Sequence, residues 1–451
     1  MEAKRRALKR HMVGFETEML ILEENGAVSS RADELIERAG SMRLKYPVHK
    51  DYTHNMIEIA SIANVKVTKA AHGWLQTMKQ LMSMTKSIGV RLYPYGTYHG
   101  THVPVSRTDR YYRMCEDILG PSRYTFSTGH VLGFHFHYCL PYGTFNRSTS
   151  GLRHLFKSKY KEQLLNIYNA IIAIDPAVTN FMESSPFVDG RFIAKDSRLF
   201  LYRAMRTGRG VNAIKGLYYD NVIFGRLPRY CTTISDLIML IETRYNTWKE
   251  MVEERHPEYL DVVEARHPLQ FNWGPLRINR VGTFEYRGLD MNLPSNMIGT
   301  SLLLKYLLHK IRKEELAVKP SDIGIREPFK IEGGVIHVPP HAYLSDVLQY
   351  KSALYGLQDD EVYRYTKGLT NLALKEVPIQ KDPSVAKIKS MLNERKTKSD
   401  EILETIAKAG QSLSDKLDEE FARELALQAC DEFEKGINRL LEAELAIDLE
   451  E

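Results

Sequence analysis

The sequence predicts an α+β core followed by a helical C-terminal region, and three observations carry that prediction. Strand-like segments with period-two patterning fall at Val13–Glu23, Val90–Tyr98, Val131–Leu140, Leu269–Trp273 and Gly282–Leu289. Long stretches of helical periodicity separate them, at Lys66–Ile88, Thr108–Leu119, Leu152–Ala173, Ser235–Arg255 and Ile298–Lys313. Strands so far apart must pair non-locally in a mixed sheet, which suits an α+β domain better than regular βαβ winding. Beyond Lys319–Val338, a Pro- and Gly-containing stretch, the pattern is helical to the end. The expected division is therefore a core at 1–318, an irregular connection at 319–340 and a helical region at 341–451.

In that last region Ile402, Ile406, Ala409, Leu413, Leu417, Phe421 and Leu425 mark one stripe of a long, charged helix. Such a stripe needs a surface to bury it, either the body of the chain or a second copy in a homo-oligomer.

Bulk composition narrows the function classes. The 451 residues are 43% hydrophobic and 26% charged, which is the profile of a soluble globular protein. The opening MEAKRRALKRHMVG leads into no apolar h-region, and the most apolar run, Leu302–Leu308, is short and broken by Lys305. No export signal and no membrane partner are expected. Cys115, Cys139, Cys231 and Cys430 lie far apart with no CxxC, as in a reducing cytoplasm. From Lys398 onward 6 Lys/Arg face 16 Asp/Glu, so the tail is acidic and the body more basic than the net +5. The basic residues are interleaved with acids rather than gathered in runs, and no nucleic-acid motif is present, so small anionic substrates are the expected partners and nucleic acid is not.

Three strands repeat one unusual division of faces. In GFETEMLI the side chains of Glu16 and Glu18 share a side while Phe15, Met19 and Ile21 take the other. In GFHFHYC, His135 and His137 oppose Phe134, Phe136 and Tyr138; in GTFEYRG, Glu285 and Arg287 oppose Phe284 and Tyr286. Each pair alone also fits a solvated strand face. Together they place metal-ligating and phosphate-binding residue types where a solvated face carries a mixture of Lys, Thr, Ser and Gln. If the strands share a sheet, its polar face gathers carboxylates and imidazoles that divalent cations would neutralise.

Glu58, in an apolar setting before a long helix, offers a further carboxylate, and Arg191, Arg198, Arg203, Arg277, Arg280 and Arg287 offer guanidinium forks for phosphate or carboxylate. No GxxxxGK[ST] loop, GxSxG elbow or HExxH string occurs, and the Gly-rich GRGVNAIKG from Gly208 has the wrong spacing for a phosphate loop. A nucleotide would have to be held by metals and arginines.

Taken in order, these strings resemble the glutamate–cysteine ligase family 2, the group of bacterial carboxylate–amine ligases and plant-type ligases. Gly14, Glu16 and Glu18 are similar to its GxExE strand, Glu58 to a later acidic position, and Gly96–His99 to its GTHP-like string with one residue inserted. GFHFHYC resembles its GxHVHVG strand, and SSPFVDGR at Ser184–Arg191 its NSPFxxGR string, with Ser197 and Arg198 as a contracted SxR. Gly282, Thr283, Glu285 and Arg287 match its GTxExR, followed by Asp290. The departures are Cys139 for Gly, Thr17 for a third acid, Ser184 for Asn, and the acidic C-terminal helix, which has no counterpart in the pattern.

The resemblance implies a glutamine synthetase-like core, a curved antiparallel sheet forming a funnel with helices on its outer face. It implies ATP-dependent amide formation through an acyl phosphate, with glutamate and cysteine, or another amino acid or amine, as the acid and amine, as in glutathione biosynthesis. ATP is then a co-substrate, and Mg2+ or Mn2+ would be held by Glu16, Glu18, Glu58, His135 and Glu285. Arg198 and Arg287 would stabilise the transferring phosphoryl group and His137 would contact nucleotide phosphate or complete the metal shell. Arg191 or Arg277 would hold the substrate carboxylate. Two other classes stay open: a metal-dependent hydrolase of amidohydrolase type, since an HxH strand also binds zinc, and a non-catalytic helical scaffold built on the acidic tail.

Overall fold

The computed structural model describes residues 11–153, 158–206, 214–375 and 382–448; residues 1–10 and most of the Gly-rich string at 208–216 lie outside them. The alternation at Val13–Glu23 becomes β1, the central strand of a seven-stranded antiparallel sheet. The others are β2 (Val48–Lys50), β3 (Met56–Ala60), β4 (Val90–Tyr93), β5 (Gly133–Cys139), β6 (Leu276–Asn279) and β7 (Thr283–Asp290). Their order is β6-β7-β5-β1-β3-β2, with β4 pairing the far end of β1.

The period of two sorts these strands into two faces. Phe15, Met19, Ile21, Phe134, Phe136, Tyr138, Phe284 and Tyr286 are all buried on one side. Helices α1 (Val67–Ser87), α2 (Lys159–Val178) and α3 (Pro294–Lys313) cover it. Trp74 of α1 reaches the sheet edge-on to Phe15, its ring centroid 6.1 Å away, and donates Nε1–H to Thr17 Oγ1 at 3.1 Å. Thr17, standing where a third acid was expected, thus belongs to the covered face, where an unpaired carboxylate would be costly.

The expected class, an antiparallel sheet with helices on its outer face and a helical C-terminal region, is the observed one. Two local expectations are corrected. Leu269–Trp273 is no strand: Pro268 sets a 3-10 turn over Pro268–Phe271, and the paired strand follows at β6. Glu58 precedes the helix as expected but lies on a strand, β3, whose short MIEIA alternation is masked in sequence by the Asn and His around it.

The 319–340 stretch, expected to be irregular, carries a three-stranded sheet of β8 (Ala317–Pro320), β9 (Ile331–Glu332) and β10 (Val335–Val338). The long acidic helix is two. α4 (Lys398–Lys408) stops at Ala409 and Gly410, the latter at φ +74°, and α5 (Glu419–Asp448) begins after a stretch containing Ser412 and Ser414. Helix α5 packs on the body. Phe433 lies edge-on to Trp74 at 6.1 Å, and Lys86–Glu434 and Arg91–Asp431 pair at 2.5 Å. Among the described residues no helix is long and apolar enough to cross a membrane.

Candidate active site

Strand register assembles the polar face. Glu16 stands opposite His135 across β1 and β5, Glu18 opposite Glu58 across β1 and β3, and Glu285 opposite His137 across β7 and β5. Four separated strings thereby converge. His135 Nδ1 lies 3.2 Å from Glu16 Oε2, His135 Nε2 3.3 Å from Glu18 Oε1, and His137 Nε2 3.2 Å from Glu16 Oε1. Thr283 Oγ1, 2.9 Å from His137 Nδ1, sets that ring so that Nε2 faces the carboxylate.

Gly133 explains why glycine opens the HxH strand. A Cβ there would lie 2.6 Å from Arg198 Nη2 and 3.0 Å from both Glu18 Oε2 and His135 Nε2, so a side chain would displace the cluster. Its N–H donates to Glu18 Oε2 at 2.5 Å.

A bulge in β7 between Tyr286 and Leu289 turns the carbonyl of Arg287 toward Arg198, whose Nη2 donates to it at 3.1 Å. The next carbonyl, of Gly288, accepts from Arg203 Nη2 at 3.2 Å, and Arg203 is itself clamped on buried Asp175 at 2.6 and 2.8 Å. Arg203 is therefore a support beneath the sheet. Asp290 is likewise structural: it accepts from Ser184 N at 2.9 Å and fills the space a Cβ on Gly96 would need.

A cavity of about 350 Å3 opens over this face, and Glu16, Glu18, Glu58, His135, Arg198, Arg277 and Arg287 all line it. His137 and Glu285 sit just behind the lining. Arg191 stands apart: it is exposed on the small hairpin Phe187–Val188/Arg191–Phe192, turned by Asp189 and Gly190 at positive φ, and it does not line the cavity.

Burial and charge neighbours shift the carboxyl groups of this face in opposite directions. Burial raises the pKa of Glu18 despite nearby His135, and burial together with Glu16, Asp51 and Glu58's other carboxylate neighbour Glu18 drives Glu58 well above the ordinary range. For Glu16, burial pulls upward but the adjoining imidazoles of His135 and His137 outweigh it and hold the carboxyl well below its usual value. Burial would lower His137, and Glu16 raises it instead. Glu285, fully buried, is pushed up by burial and down further by Arg277 and Arg287.

The donor set fits divalent metal. One ligand atom each from Glu16, Glu58 and His135 lies within 4.8 Å of the others, and so does one from Glu16, His137 and Glu285. The Nε2 atoms of His135 and His137 are buried and make no well-formed hydrogen bond. Carboxylate oxygens predominate over nitrogens, which suits Mg2+ or Mn2+ better than zinc.

Sequence reasoning missed Asp51 and the aromatic wall of Tyr52, Tyr111, Tyr112, Tyr124, Tyr202 and Trp273. Asp51, seven residues before Glu58, accepts from Tyr52 N at 2.7 Å, and burial raises its pKa. Its signal was an acid at the head of the Glu58 string. The aromatics carried none, because they share the pattern of core positions. Trp273 packs at 4.5 Å on buried Trp248 and donates to Tyr111 OH at 3.2 Å.

The model of the glutamate-cysteine ligase family 2 matches residues 12–210. No curated protein matches the chain. Among solved structures, a glutamate–cysteine ligase from Francisella tularensis in complex with AMP superposes with a TM-score of 0.57 at 12% identity, over 97% of this chain and 94% of that one. A bifunctional glutathione synthetase from Pasteurella multocida gives 0.55 at 12% identity, over 95% of this chain but only 54% of its own, so this chain spans about half that protein's length. These likenesses establish a shared fold. Over residues 12–210 the chain matches the model of glutamate-cysteine ligase family 2, the family that its strings resemble.

Proposed function

We propose that the protein is an ATP-dependent carboxylate–amine ligase of glutamate–cysteine ligase type, acting through an acyl phosphate. The observation that supports this most is the single cavity lined by Glu16, Glu18, Glu58 and His135 on one side and Arg198, Arg277 and Arg287 on the other. Acidic ligands for cations beside guanidinium forks for phosphate are what phosphoryl transfer requires, since it needs positioning and charge neutralisation more than covalent chemistry.

In this reading Glu16, Glu18, Glu58 and His135 hold divalent cations, with His137 and Glu285 completing the shell. Cations held there would supply charge neutralisation for the phosphates and the acyl group. Arg198 and Arg287 contact the phosphoryl group as the substrate carboxylate attacks the γ-phosphorus and ADP leaves. Arg277, its Nε on Glu285, presents the rest of its fork to the acid substrate. The amine then attacks the acyl carbon, phosphate departs, and Asp51 takes the amine's proton. Burial makes Asp51 a stronger base than a solvated carboxylate. Residues 1–318 form the catalytic core, and glutamate with cysteine, or another amino acid as amine, is the substrate pair.

The test is to incubate the protein with ATP, Mg2+ and an array of acid–amine pairs and to measure phosphate release and amide product. Folded protein that releases no phosphate with any pair would sink the proposal; turnover of an amide without ATP would favour the hydrolase.

A further inference from the structure

Helix α6 (Ser197–Tyr202), which carries Arg198, is only six residues long. A helix of that length has too few internal hydrogen bonds to hold its own orientation. Its direction must come from its tethers. One is local: Asp196 accepts from Leu199 N at 2.9 Å and caps it. A second comes from Ser185, which accepts from Ser197 N at 3.1 Å through its carbonyl and from Arg198 N at 3.3 Å through its hydroxyl.

Leu217 N donates to Leu201 O at 2.7 Å and Arg198 Nη2 to Arg287 O at 3.1 Å, and a further set of tethers arises from the C-terminal part of the chain, beyond the residues that match the family. Ala353 O accepts from Asp196 N at 3.1 Å, and Ser399 Oγ donates to Lys195 O at 2.6 Å. Lys195 Nζ lies 2.5 Å from Asp400 Oδ1 and donates to Tyr355 O at 2.8 Å, the two charged side chains 8% and 5% exposed. Asp400 Oδ2 meanwhile accepts from Thr397 N and Oγ1 at 2.9 and 3.0 Å, locking the start of α4. At the same helix end Lys398 Nζ reaches Glu432 of α5 at 2.7 Å, so the long acidic helix braces the clamp from behind.

We infer that Lys195 and Asp400 form a positioning clamp through which the C-terminal helices aim Arg198 into the cavity. A buried ion pair with every oxygen engaged is geometrically demanding, and removing one partner leaves the other charge uncompensated. The clamp grips the residue next to the Asp196 cap. Loss of either charge therefore loosens the entry to α6, where Arg198 sits, while the Asp196 cap, the Ser185 contacts and the Arg198–Arg287 carbonyl bond stay available. The acidic tail is then part of the site's construction rather than an appendage.

This inference rests on the proposed phosphoryl contact of Arg198. The experiment compares binding of Mg-ATP and of AMP to the full chain by calorimetry, so that no substrate pair need be known. Wild type is expected to prefer ATP, and Arg198→Ala to lose that preference. Lys195→Met and Asp400→Asn should cut the ATP-to-AMP affinity ratio about tenfold, with AMP affinity held within about twofold and unfolding still cooperative. Ser399→Ala, which keeps both charges and so guards against misfolding of the charge variants, should cut the ratio about threefold.

If Arg198→Ala loses the preference while folded Lys195→Met, Asp400→Asn and Ser399→Ala keep it, the clamp is overturned and the functional reading survives. An equal fall in both affinities also overturns it, marking a purely structural pair. Wild type that binds neither nucleotide overturns the functional reading and this inference with it.

Discussion

Arg277 and Glu285 face each other across the β6–β7 hairpin, registered Cα to Cα, with Nε 2.7 Å from Oε2. Arg287 Nη1 takes the other oxygen at 2.9 Å and Asn279 Nδ2 shares the first at 2.5 Å. Glu285, expected as a metal ligand, also anchors two arginines that line the cavity. Glu285→Gln should cost about 2–4 kcal/mol in urea unfolding, because two partly buried guanidinium groups lose their counter-charge. Ligase turnover should fall about 100-fold or more. Unchanged stability would show that water screens the pair.

Asp51 carries the proton transfer in the proposed mechanism. Asp51→Asn should lower kcat by about 10^2 to 10^4 and leave the KM for ATP within about twofold, since the proposed role is to take the amine's proton rather than to hold the nucleotide. An ATP-dependent step measured without amine should persist. If amide formation proceeds at the wild-type rate, the base lies elsewhere.

Arg191, exposed on its hairpin, offers a contrast with Arg277. Arg191→Ala should leave kcat/KM within about twofold, whereas Arg277→Ala should raise the KM for the acid about tenfold or more. Steady-state kinetics with the acid varied decides between them, and a large effect at Arg191 would restore its expected role.

His99 is fully buried against Tyr93 and Tyr95 with neither ring nitrogen partnered, and burial pushes it down to about 3. Its ordinary value is about 6.5. Between those two values the unfolded chain binds a proton that the folded one refuses, so the stability present above pH 6.5 is lost as pH falls toward 3. One such group contributes at most about 1.4 kcal/mol per pH unit. His99→Phe should match wild type at pH 7 and lose less stability between pH 6.5 and 4. Parallel melting profiles for the two proteins across that range would refute the assignment.

Local geometry was legible in the sequence wherever one strand decides it. Successive side chains alternate, so Glu16 with Glu18, His135 with His137 and Glu285 with Arg287 were bound to share faces once those segments were strands, and the oily positions between them were bound to lie beneath helices. The order of the strings also sufficed for the family resemblance, which the match over residues 12–210 bears out.

What joined those faces was not local. Register between strands more than 100 residues apart brought Glu16 to 3.2 Å from both histidines, and long-range packing put Asp51 and the tyrosines around the cavity. Tertiary structure also left Arg191 outside, set two arginines against Glu285, and broke the acidic helix at Gly410 so that its second half lies on the body. A residue's own neighbours in sequence determine which way it points; which charge it meets there depends on contacts whose free energy exists only after the chain has closed on itself.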